Sequence, residues 1–532
     1  MLESHLSVLE ASANLHRHSA VFKTPRLDPS NGQLQGWESI TYEQFQRDVQ
    51  IHARYWARAL AHDGIAPRSV VGLWIGGFTY ADVLHIYGIS RAGYVPQLFS
   101  LRLPNPAVIY ELLLRAHAKA LIHDSTFAST LADCPVPTHL VISPEMTDLG
   151  GALPALAEMV EDDIAFIFHT SGSTSGSPKL VPCSYRWLDS AVHKSYQTSK
   201  PRSPQRQDIT VWMGSMCHIG QSFMLIGSLQ HGSCVIQPTT IGFSSEELMH
   251  MIDVGGLNKL NQFAAFLANH LRKSRSDPKL LSMLSGLDEV LYSGLPLPRD
   301  EEEWAYANGI PLRNLFGSTE CGAMLLSIGG RERNAPLLRP LEGVAYTFRP
   351  IAPAPEQGHQ STARLLELVI LAESRDCPDA SLRHADGDFH TGDLFQEPTP
   401  GMYVFRGRDD DWIKSENSLR CDTKAIEDNA RATCGNLISE CVVVGSGRPS
   451  PVMFIEPAVE MDHDKLKKEI VRKTRHFHSR RYLHERITSP SLIVVVAPRT
   501  LPRTATKGNI RRKAVEEAFK EELDRIYGLQ RR

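Results

Sequence analysis

The sequence predicts an α/β protein with a large N-terminal domain, residues 1–409, and a small α+β domain, residues 410–532. Three observations lead to this prediction. The chain has 532 residues, which suffices for several structural units at roughly 150 residues each. Short apolar runs alternate with helical patterns over the first 160 residues, as in a parallel sheet with helices on its faces. Past residue 410 the pattern changes to a hairpin, a basic helix and a further strand.

The elements of the N-terminal domain follow from apolar runs and their spacing. The run VVGLWIG (70–76) predicts a buried strand, and the helical spacing from Tyr80 to Ala92 predicts a helix that ends at Gly93. The segment LLLRAHAKALIHDS (112–125) predicts a second passage from helix to strand. Prolines predict turns or linkers at 348–356 and 399–402. Further strands are predicted at IAFIFHT (164–170), SCVIQP (233–238), EVLYSG (289–294) and LELVILA (366–372).

The C-terminal domain is predicted from three segments. SECVVVGSGRPSPVMFIEP (439–457) has the pattern of a hairpin, a basic helix runs from Lys465 to about Arg486, and SLIVVVAP (491–498) is a strand. The helix could dock phosphates or an acidic carrier protein, but a solvated charged face is the simpler interpretation.

Composition excludes several classes of function. With 57 Lys+Arg against 60 Asp+Glu, the net charge of −3 provides no long-range field for nucleic acid or an anionic membrane. No apolar window approaches the ~20 residues of a membrane-spanning helix, and the first twenty residues do not resemble a signal peptide. The nine cysteines include no CxxC pair, which favours reduced thiols over disulfides or zinc. We therefore expect a cytoplasmic protein that binds neither nucleic acid nor membrane.

The most informative segment is a strand that leads into a loop of small residues. The buried strand Ile164–Phe168 is followed by Ser171–Gly176, Ser177, Pro178 and Lys179. Glycines let backbone N–H groups approach an anion, hydroxyls donate further hydrogen bonds, and a lysine adds charge. A flexible Gly/Ser linker is the alternative, and the buried strand argues against it. Ser-Pro-Lys after Gly176 excludes a Walker A motif.

This loop, TSGSTSGSPKL, resembles the TSGTTGxPKG phosphate loop of the ANL superfamily of adenylate-forming enzymes, with one extra residue and Leu180 in place of the final glycine. Four further elements follow in the family's order. LFGSTECG (315–322) resembles YGxTE, DFHTGDL (388–394) resembles HTGD, and FRGRDDDWIK (405–414) resembles GRxDDxIK. LPRTATKGNIRR (501–512) is similar to PxTxxGKxxR with the Gly-Lys order inverted.

The resemblance implies a fold of stacked sheets and helices with a mobile C-terminal domain, and it assigns site residues. Lys507 is implied as the catalytic lysine, with Thr319 and Lys179 at the phosphates, Glu320 and Thr174 at Mg²⁺, and Asp410 at the hinge between domains. Asp393 would bind the ribose hydroxyls, Arg408 the ribose or a phosphate, and Phe316 the adenine. The remaining nucleotide-binding residues implied are Thr170, Ser171, Gly172, Ser173, Gly176, Ser293, Gly294, Asn314, Leu315, Gly317 and Ser318.

The acyl pocket of the family corresponds to residues 211–229, Asn261–Phe266 and Ser293–Glu320. The implied pocket residues are mostly apolar, although any single Met or Phe could pack the core instead: Met213, Met216, His218, Ile219, Phe223, Phe263 and Phe266. Residues 209–245 contain no Asp or Glu. An α-ammonium group buried there would be unpaired, so a free amino acid is disfavoured.

The resemblance therefore implies an ATP- and Mg²⁺-dependent ligase that activates an aryl, alkyl or polyketide-type acid as acyl-AMP. No carrier attachment site follows Arg512, so we expect an external acceptor, CoA or a separate carrier protein. The alternatives are an amine acceptor, a nucleotide-binding protein without turnover, and an oxygenase of the luciferase kind.

Overall fold

The computed structural model describes residues 2–101, 103, 105–143, 152–156, 158–170, 179–203, 205–330, 334–351, 365–409, 412–414, 420–479, 481, 483–503 and 510–528. Its helices are α1 His5–Leu15, α2 Tyr42–His62, α3 Tyr80–Arg91, α4 Pro106–Arg115, α5 Tyr185–Thr198, α6 Ile219–Gln230, α7 Ser245–Asp253, α8 Ala264–Ser274, α9 Pro278–Ser285, α10 Arg299–Ala307, α11 Thr423–Cys434, α12 His463–Ser479, α13 Arg512–Ala518 and α14 Lys520–Ile526. Short 3-10 helices lie at Ser125–Thr130, Ala380–Leu382, Leu483–Glu485 and Pro490–Leu492.

The strands are β1 Ala20–Leu27, β2 Leu34–Thr41, β3 Val70–Ile75, β4 Val95–Ser100, β5 Ala120–His123, β6 Thr138–Leu140, β7 Ile164–Thr170, β8 Lys179–Ser184, β9 Ile209–Val211, β10 Cys234–Ile236, β11 Lys259–Phe263, β12 Glu289–Ser293, β13 Leu312–Ser318, β14 Gly322–Ser327, β15 Leu338–Pro340, β16 Tyr346–Pro350, β17 Leu366–Ile370, β18 Phe389–Thr399, β19 Met402–Arg408, β20 Trp412–Lys414, β21 Arg420–Asp422, β22 Ile438–Val444, β23 Val452–Pro457 and β24 Ile493–Val495.

The N-terminal part is built from two sheets that share one core. One sheet has the strand order β6-β5-β3-β4-β7-β8, and the other runs β16-β17-β18-β19-β15-β14-β13-β12-β11-β9-β10-β1-β2. Side chains of α2, α3, α5 and α6 pack between them, with Trp56 and Phe223 among the largest buried groups. The predicted α/β class and the stacked sheets are confirmed.

Most of the elements predicted in this part are confirmed, and one is wrong. The strand and helix predicted from residue 70 to residue 92 are β3 and α3, and IAFIFHT is β7. Residues 348–350, predicted as part of a turn, belong to β16. Two features explain the strand: Phe348 stacks on Tyr403 at 3.6 Å between ring centroids, and β16 is an edge strand, where Pro350 costs no ladder hydrogen bond. Residues 352–364 lie outside the described part of the chain.

The C-terminal elements form a three-stranded sheet with helices. Strands β22 and β23 are the predicted hairpin, and β24 runs parallel to β23. Side chains of α11, α12 and these strands share one apolar cluster. Helix α12 ends at Ser479 rather than near Arg486. The Arg486 guanidinium folds back and donates to the carbonyl oxygens of Ser479 and Arg481, at 3.2 and 2.8 Å, which satisfies carbonyls at the helix end.

Candidate active site

The carboxyl ends of four parallel strands meet at one edge of the larger sheet. Strands β9, β11, β12 and β13 run parallel as neighbours, and Phe263, Ser293 and Leu315 are aligned across three of them. Ligands of open α/β sheets bind outside such carboxyl ends. The structure therefore brings the predicted adenine residues Ser293 and Gly294 together with the predicted pocket residue Phe263.

Two glycines make room for the Phe263 ring at this edge. A Cβ atom at Gly214 would lie 2.9 Å from Cε2 of Phe263, and one at Gly294 would lie 3.2 Å from Cδ1. Gly294 also has a φ of +90°, which a side chain would strain. Larger residues at either position would displace the half-buried ring. Phe263 thus lies between the predicted nucleotide and acid segments.

The segment that follows β9 is fixed to its surroundings by backbone contacts. The Gln221 side-chain oxygen accepts the N–H groups of Met213 and Gly214, at 2.9 and 3.3 Å. Ser215 donates to the Gly76 carbonyl at 2.7 Å, and the Met216 N–H donates to the Gly77 carbonyl at 2.6 Å. These contacts fix the backbone of the segment predicted to line the acid pocket.

Several predicted pocket residues are core residues to a large extent. Met213, Met216 and Phe223 each expose at most 2% of their surface and pack in the main core. Ile219 and Phe263 are partly buried against the same core, and His218 is the half-buried N-cap residue of α6. The Phe266 ring lies beside Gly242. Any ligand contact of the three buried residues stays a prediction.

The turn between β13 and β14 carries Thr319 and Glu320. A Cβ atom at Gly317 would lie 2.5 Å from the Gly322 carbonyl oxygen, so the two strands approach too closely for a side chain there. Phe316 packs on two other aromatic rings, with centroids 5.2 Å from Phe395 and 5.1 Å from Phe405. The Leu315 side chain is buried in the core, whereas Asn314, Ser318, Thr319 and Glu320 are half-buried and Gly317 is exposed.

Helix α5 holds this turn from behind. Trp187 donates its indole N–H to the Glu320 carbonyl at 3.0 Å. Lys194 donates to the Cys321 carbonyl and to the Asp376 carboxylate, both at 2.7 Å. Each side chain of the Lys194–Asp376 pair is only 1% exposed. The backbone of the predicted Mg²⁺ ligand is thus fixed by buried side chains.

Asp376 is a buried neighbour of this turn that sequence reasoning missed. Burial alone raises its pKa, but the Lys194 charge and hydrogen bonds from Lys194, Ser374 and Tyr346 outweigh it and hold the pKa below its ordinary value. The carboxylate is therefore charged, and 182 residues separate it from Lys194 along the chain. No local spacing in the sequence indicates such a pair.

The predicted ribose residues are brought together on adjacent strands. Asp393 and Arg408 are register partners on β18 and β19, with Nη1 of Arg408 3.6 Å from Oδ1 of Asp393. The Thr391 hydroxyl accepts the Asp393 N–H at 3.0 Å and donates to the Leu368 carbonyl at 2.7 Å. The Asp393 side chain is 8% exposed, which holds its carboxylate in a defined position.

The residues at the two ends of the predicted phosphate loop are held by the pairing of strands β7 and β8. Thr170, the last residue of β7, pairs with Lys179, the first residue of β8. The preceding residue, His169, stacks on Phe99 at 4.5 Å and accepts from the Gln97 amide at Nε2, so its Nδ1–H donates to the Leu98 carbonyl at 2.8 Å. Burial lowers the pKa of His169 to about 4, so the ring is neutral. Sequence reasoning missed this histidine because its partners lie on β4.

Some predicted site residues lie outside the described part of the chain. They include the catalytic and hinge candidates Lys507 and Asp410 and the loop residues Ser171, Gly172, Ser173, Thr174 and Gly176. The residues that flank the Lys507 segment are described: Arg503 and Ile510 form a β-bridge, and the Arg511 N–H donates to the Pro502 carbonyl at 2.8 Å.

The described residues lack two kinds of feature. They contain no helix that is both long and apolar enough to cross a membrane, and no group of three or more His, Cys, Asp and Glu suited to a metal ion. All nine cysteines are unpaired thiols, and eight of them are buried.

We expect Asp393→Ala to raise the KM for ATP roughly 10- to 100-fold, because hydrogen bonds to a charged group contribute about 1.5–3 kcal/mol. Asp386→Ala is the matched control, since Asp386 is a 46% exposed carboxylate that pairs with His390 near the same strand. Initial rates at varied ATP concentration provide the measurement. Equal KM values in the two variants would show that Asp393 does not hold the ribose.

The fold and the segments gathered at this sheet edge define an adenylate-forming enzyme. Residues 10–345 match the family model of the AMP-binding enzymes, and residues 410–531 match the model of their C-terminal domain. The chain belongs to this family, which is part of the ANL superfamily. It is an AMP-forming carboxylate ligase, and acid–thiol ligases are among its relatives.

Individual relatives agree with this family. The chain is 35% identical to the AMP-binding domain-containing enzyme iboA of Amanita muscaria over 516 residues, covering 94% of this chain and 99% of that protein. It superimposes on o-succinylbenzoate CoA synthetase of Bacillus subtilis with a TM-score of 0.74 and 17% identity, covering 97% and 98% of the two chains. The anthranilate CoA ligase AuaEII gives a TM-score of 0.68 at 18% identity, with 97% of each chain covered.

Proposed function

We propose that this enzyme activates an aryl, alkyl or polyketide-type carboxylic acid with ATP as acyl-AMP, and transfers the acyl group to an external thiol, CoA in the first instance. One observation carries the proposal. The predicted adenine residues Ser293 and Gly294 and the predicted acid residue Phe263 meet at the same strand ends. An acid and a nucleotide bound to these residues would lie side by side.

Positioning and charge neutralisation must supply most of the catalysis. The acid's carboxylate attacks the α-phosphorus of ATP and pyrophosphate leaves, so two anions have to approach each other. We assign the neutralisation to Lys179 and Lys507 and the phosphate contact to Thr319. Thr170 and the loop residues 171–176 would add donors from the backbone and hydroxyl groups.

A bound Mg²⁺ would neutralise the phosphate oxygens further, and Glu320 and Thr174 are the residues proposed to hold it. Mg²⁺ on a nucleotide needs only one or two protein carboxylates, since phosphates and water complete its shell. The half-buried Glu320, with its backbone fixed by Trp187, suits that role. The structurally similar o-succinylbenzoate CoA synthetase of Bacillus subtilis has been solved with ATP and magnesium ion, which favours Mg²⁺ as the metal used with ATP here.

The charge around the acid segment argues against an amino-acid substrate. Residues 209–245 carry no acidic side chain. Asp82 lies near Cys217 of this segment, but its carboxylate caps α3 and accepts the N–H groups of Phe78 and Thr79, each at 2.9 Å. It is therefore occupied and does not offer a site for an α-ammonium group.

ATP–pyrophosphate exchange across a panel of acids tests the first half-reaction. 3-Phenylpropionate and phenylalanine form the decisive pair, because they differ only in the α-amino group. Burying an unpaired ammonium costs several kcal/mol, so we expect kcat/KM for phenylpropionate to exceed that for phenylalanine by about 100-fold. Faster exchange with phenylalanine would contradict the proposed class of acid.

The acceptor is tested with an acid from the panel that supports exchange. Mass spectrometry after incubation with CoA is expected to show the acyl thioester. The CoA ligases for anthranilate and 2-succinylbenzoate among the relatives favour this acceptor. An amide formed with an added amine, and no thioester, would favour an amide ligase. Absence of exchange with every acid would indicate a nucleotide-binding protein without turnover.

A further inference from the structure

A small cavity lies among side chains of α1, α3, α5, α6 and β7. Its volume is about 20 Å³, and its walls are almost entirely apolar. Met216, Ile219 and Phe223, which the sequence assigns to the acyl pocket, form one side of it. The cavity therefore borders the segment that is proposed to hold the acyl group.

Two polar side chains also line this cavity, and neither has a hydrogen-bond partner among the described residues. His5 and Tyr87 are 3% and 2% exposed, and their rings meet edge to face at 4.8 Å. No described residue accepts from or donates to either ring nitrogen of His5 or the hydroxyl of Tyr87. Buried polar side chains in folded proteins are nearly always hydrogen-bonded. Both side chains line one cavity, so a polar ligand atom or an ordered water bound there would have two unpaired polar side chains beside it.

The protonation of these groups defines what they can bind. Burial lowers the pKa of His5 to about 3, so its ring is neutral and offers one N–H donor and one bare nitrogen. Burial raises the pKa of Tyr87, so its hydroxyl stays protonated and can donate and accept. A charged group would find no counter-ion among these walls. The pair therefore suits a neutral group that both donates and accepts.

Trp187 connects the cavity to the reacting end of the site. Its ring forms part of the cavity wall, and its indole N–H donates to the Glu320 carbonyl at 3.0 Å. The cavity and the backbone of the Glu320 turn consequently both contact one indole ring. An acyl group with its carboxylate near Glu320 would therefore have its far end on the side of Trp187 that lines the cavity with His5 and Tyr87.

We propose that His5 and Tyr87 are specificity-determining residues that bind a neutral polar substituent, a hydroxyl group, at the end of the acyl chain remote from its carboxylate. The proposal rests on the proposed function, since it concerns the acid that is adenylated. It narrows the substrate class from apolar acids in general to acids with a distal hydroxyl.

Exchange assays on matched acids test this assignment. The probes are cinnamic and 4-hydroxycinnamic acid, and hexanoic and 6-hydroxyhexanoic acid. We expect the wild type to prefer the hydroxylated member of at least one pair, and Tyr87→Phe to lower that ratio of kcat/KM values at least about tenfold. His5→Phe should lower the ratio similarly, and the two effects should not add, since both residues bind one group.

Tyr94→Phe is the matched control, because Tyr94 is a buried tyrosine whose hydroxyl donates to the Ile65 carbonyl at 3.2 Å. It should lower the Tm and leave the ratio unchanged, whereas Tyr87→Phe should leave the Tm unchanged. If Tyr87→Phe leaves the ratio of kcat/KM for hydroxylated over unsubstituted acid unchanged, the proposal is wrong. A lower Tm of that variant would then show that the Tyr87 hydroxyl binds a structural water. A wild type inactive with every acid would instead refute the proposed function itself.

Discussion

Lys507→Ala is expected to lower ATP–pyrophosphate exchange at least about 100-fold, the effect typical of losing one group that stabilises transition-state charge. Transfer from preformed acyl-AMP to CoA should continue, because that step releases AMP and needs no neutralisation of pyrophosphate. ATP–pyrophosphate exchange and thioester formation from acyl-AMP, measured separately on the purified variant, test the two half-reactions. Equal survival of both would show that another residue neutralises the leaving group.

Lys507 is the preferred candidate for neutralising the leaving pyrophosphate, because the neighbouring arginines Arg503 and Arg512 have structural partners. Arg503 donates to the Glu456 carboxylate at 2.7 Å, and Arg512 bonds to the Glu427 carboxylate and the Val443 carbonyl. These contacts attach both arginines to the core of the C-terminal part. Lys513→Ala is the matched control, since Lys513 is an exposed lysine on α13, and we expect it to leave both half-reactions unchanged.

The sequence was most informative where a local pattern decides the structure. Strand β7 has the predicted limits, since an apolar run ends where hydroxyl and glycine residues begin. Helix α3 begins after Thr79, whose hydroxyl accepts the Asp82 N–H, and it ends just before the predicted C-cap. Ser293, Gly294 and Phe263 were assigned to one site through a resemblance, and the register of β11 and β12 brings them together.

The sequence was least informative where contacts join distant segments. The edge strand β16 is stabilised by the stacking of Phe348 on Tyr403. The prolines of this segment predict a turn or linker instead, so the sequence did not indicate the strand. Lys194 and Asp376 meet only because α5 packs behind the β13–β14 turn. His5 belongs to a helix near the N-terminus, far in sequence from every motif, so no motif indicates that it lines a cavity with pocket residues.

Lys194→Met is expected to lower the free energy of unfolding by about 3–5 kcal/mol, because it leaves the Asp376 carboxylate buried without its counter-ion. The double variant Lys194→Met/Asp376→Leu should recover much of this loss, since neither charge is then buried alone. Lys279→Met provides the control. Lys279 pairs with Asp253 at 3.3 Å, with both side chains more than half exposed, and such pairs contribute at most about 1 kcal/mol. Urea denaturation of the variants gives the free energies.

The pH dependence of stability tests the same pair by a second route. The folded pKa of Asp376 lies below its ordinary value of 3.8. Its contribution is therefore present above pH 3.8 and is lost as the pH falls through the folded pKa. Asp376→Asn should remove this contribution, so that the variant loses less stability than the wild type on acidification below that pH.

Because Lys194 also holds the Cys321 carbonyl next to Glu320, Lys194→Met should raise the Mg²⁺ concentration needed for half-maximal exchange. Unchanged Mg²⁺ dependence in a folded Lys194→Met enzyme would separate the stability of this turn from its function.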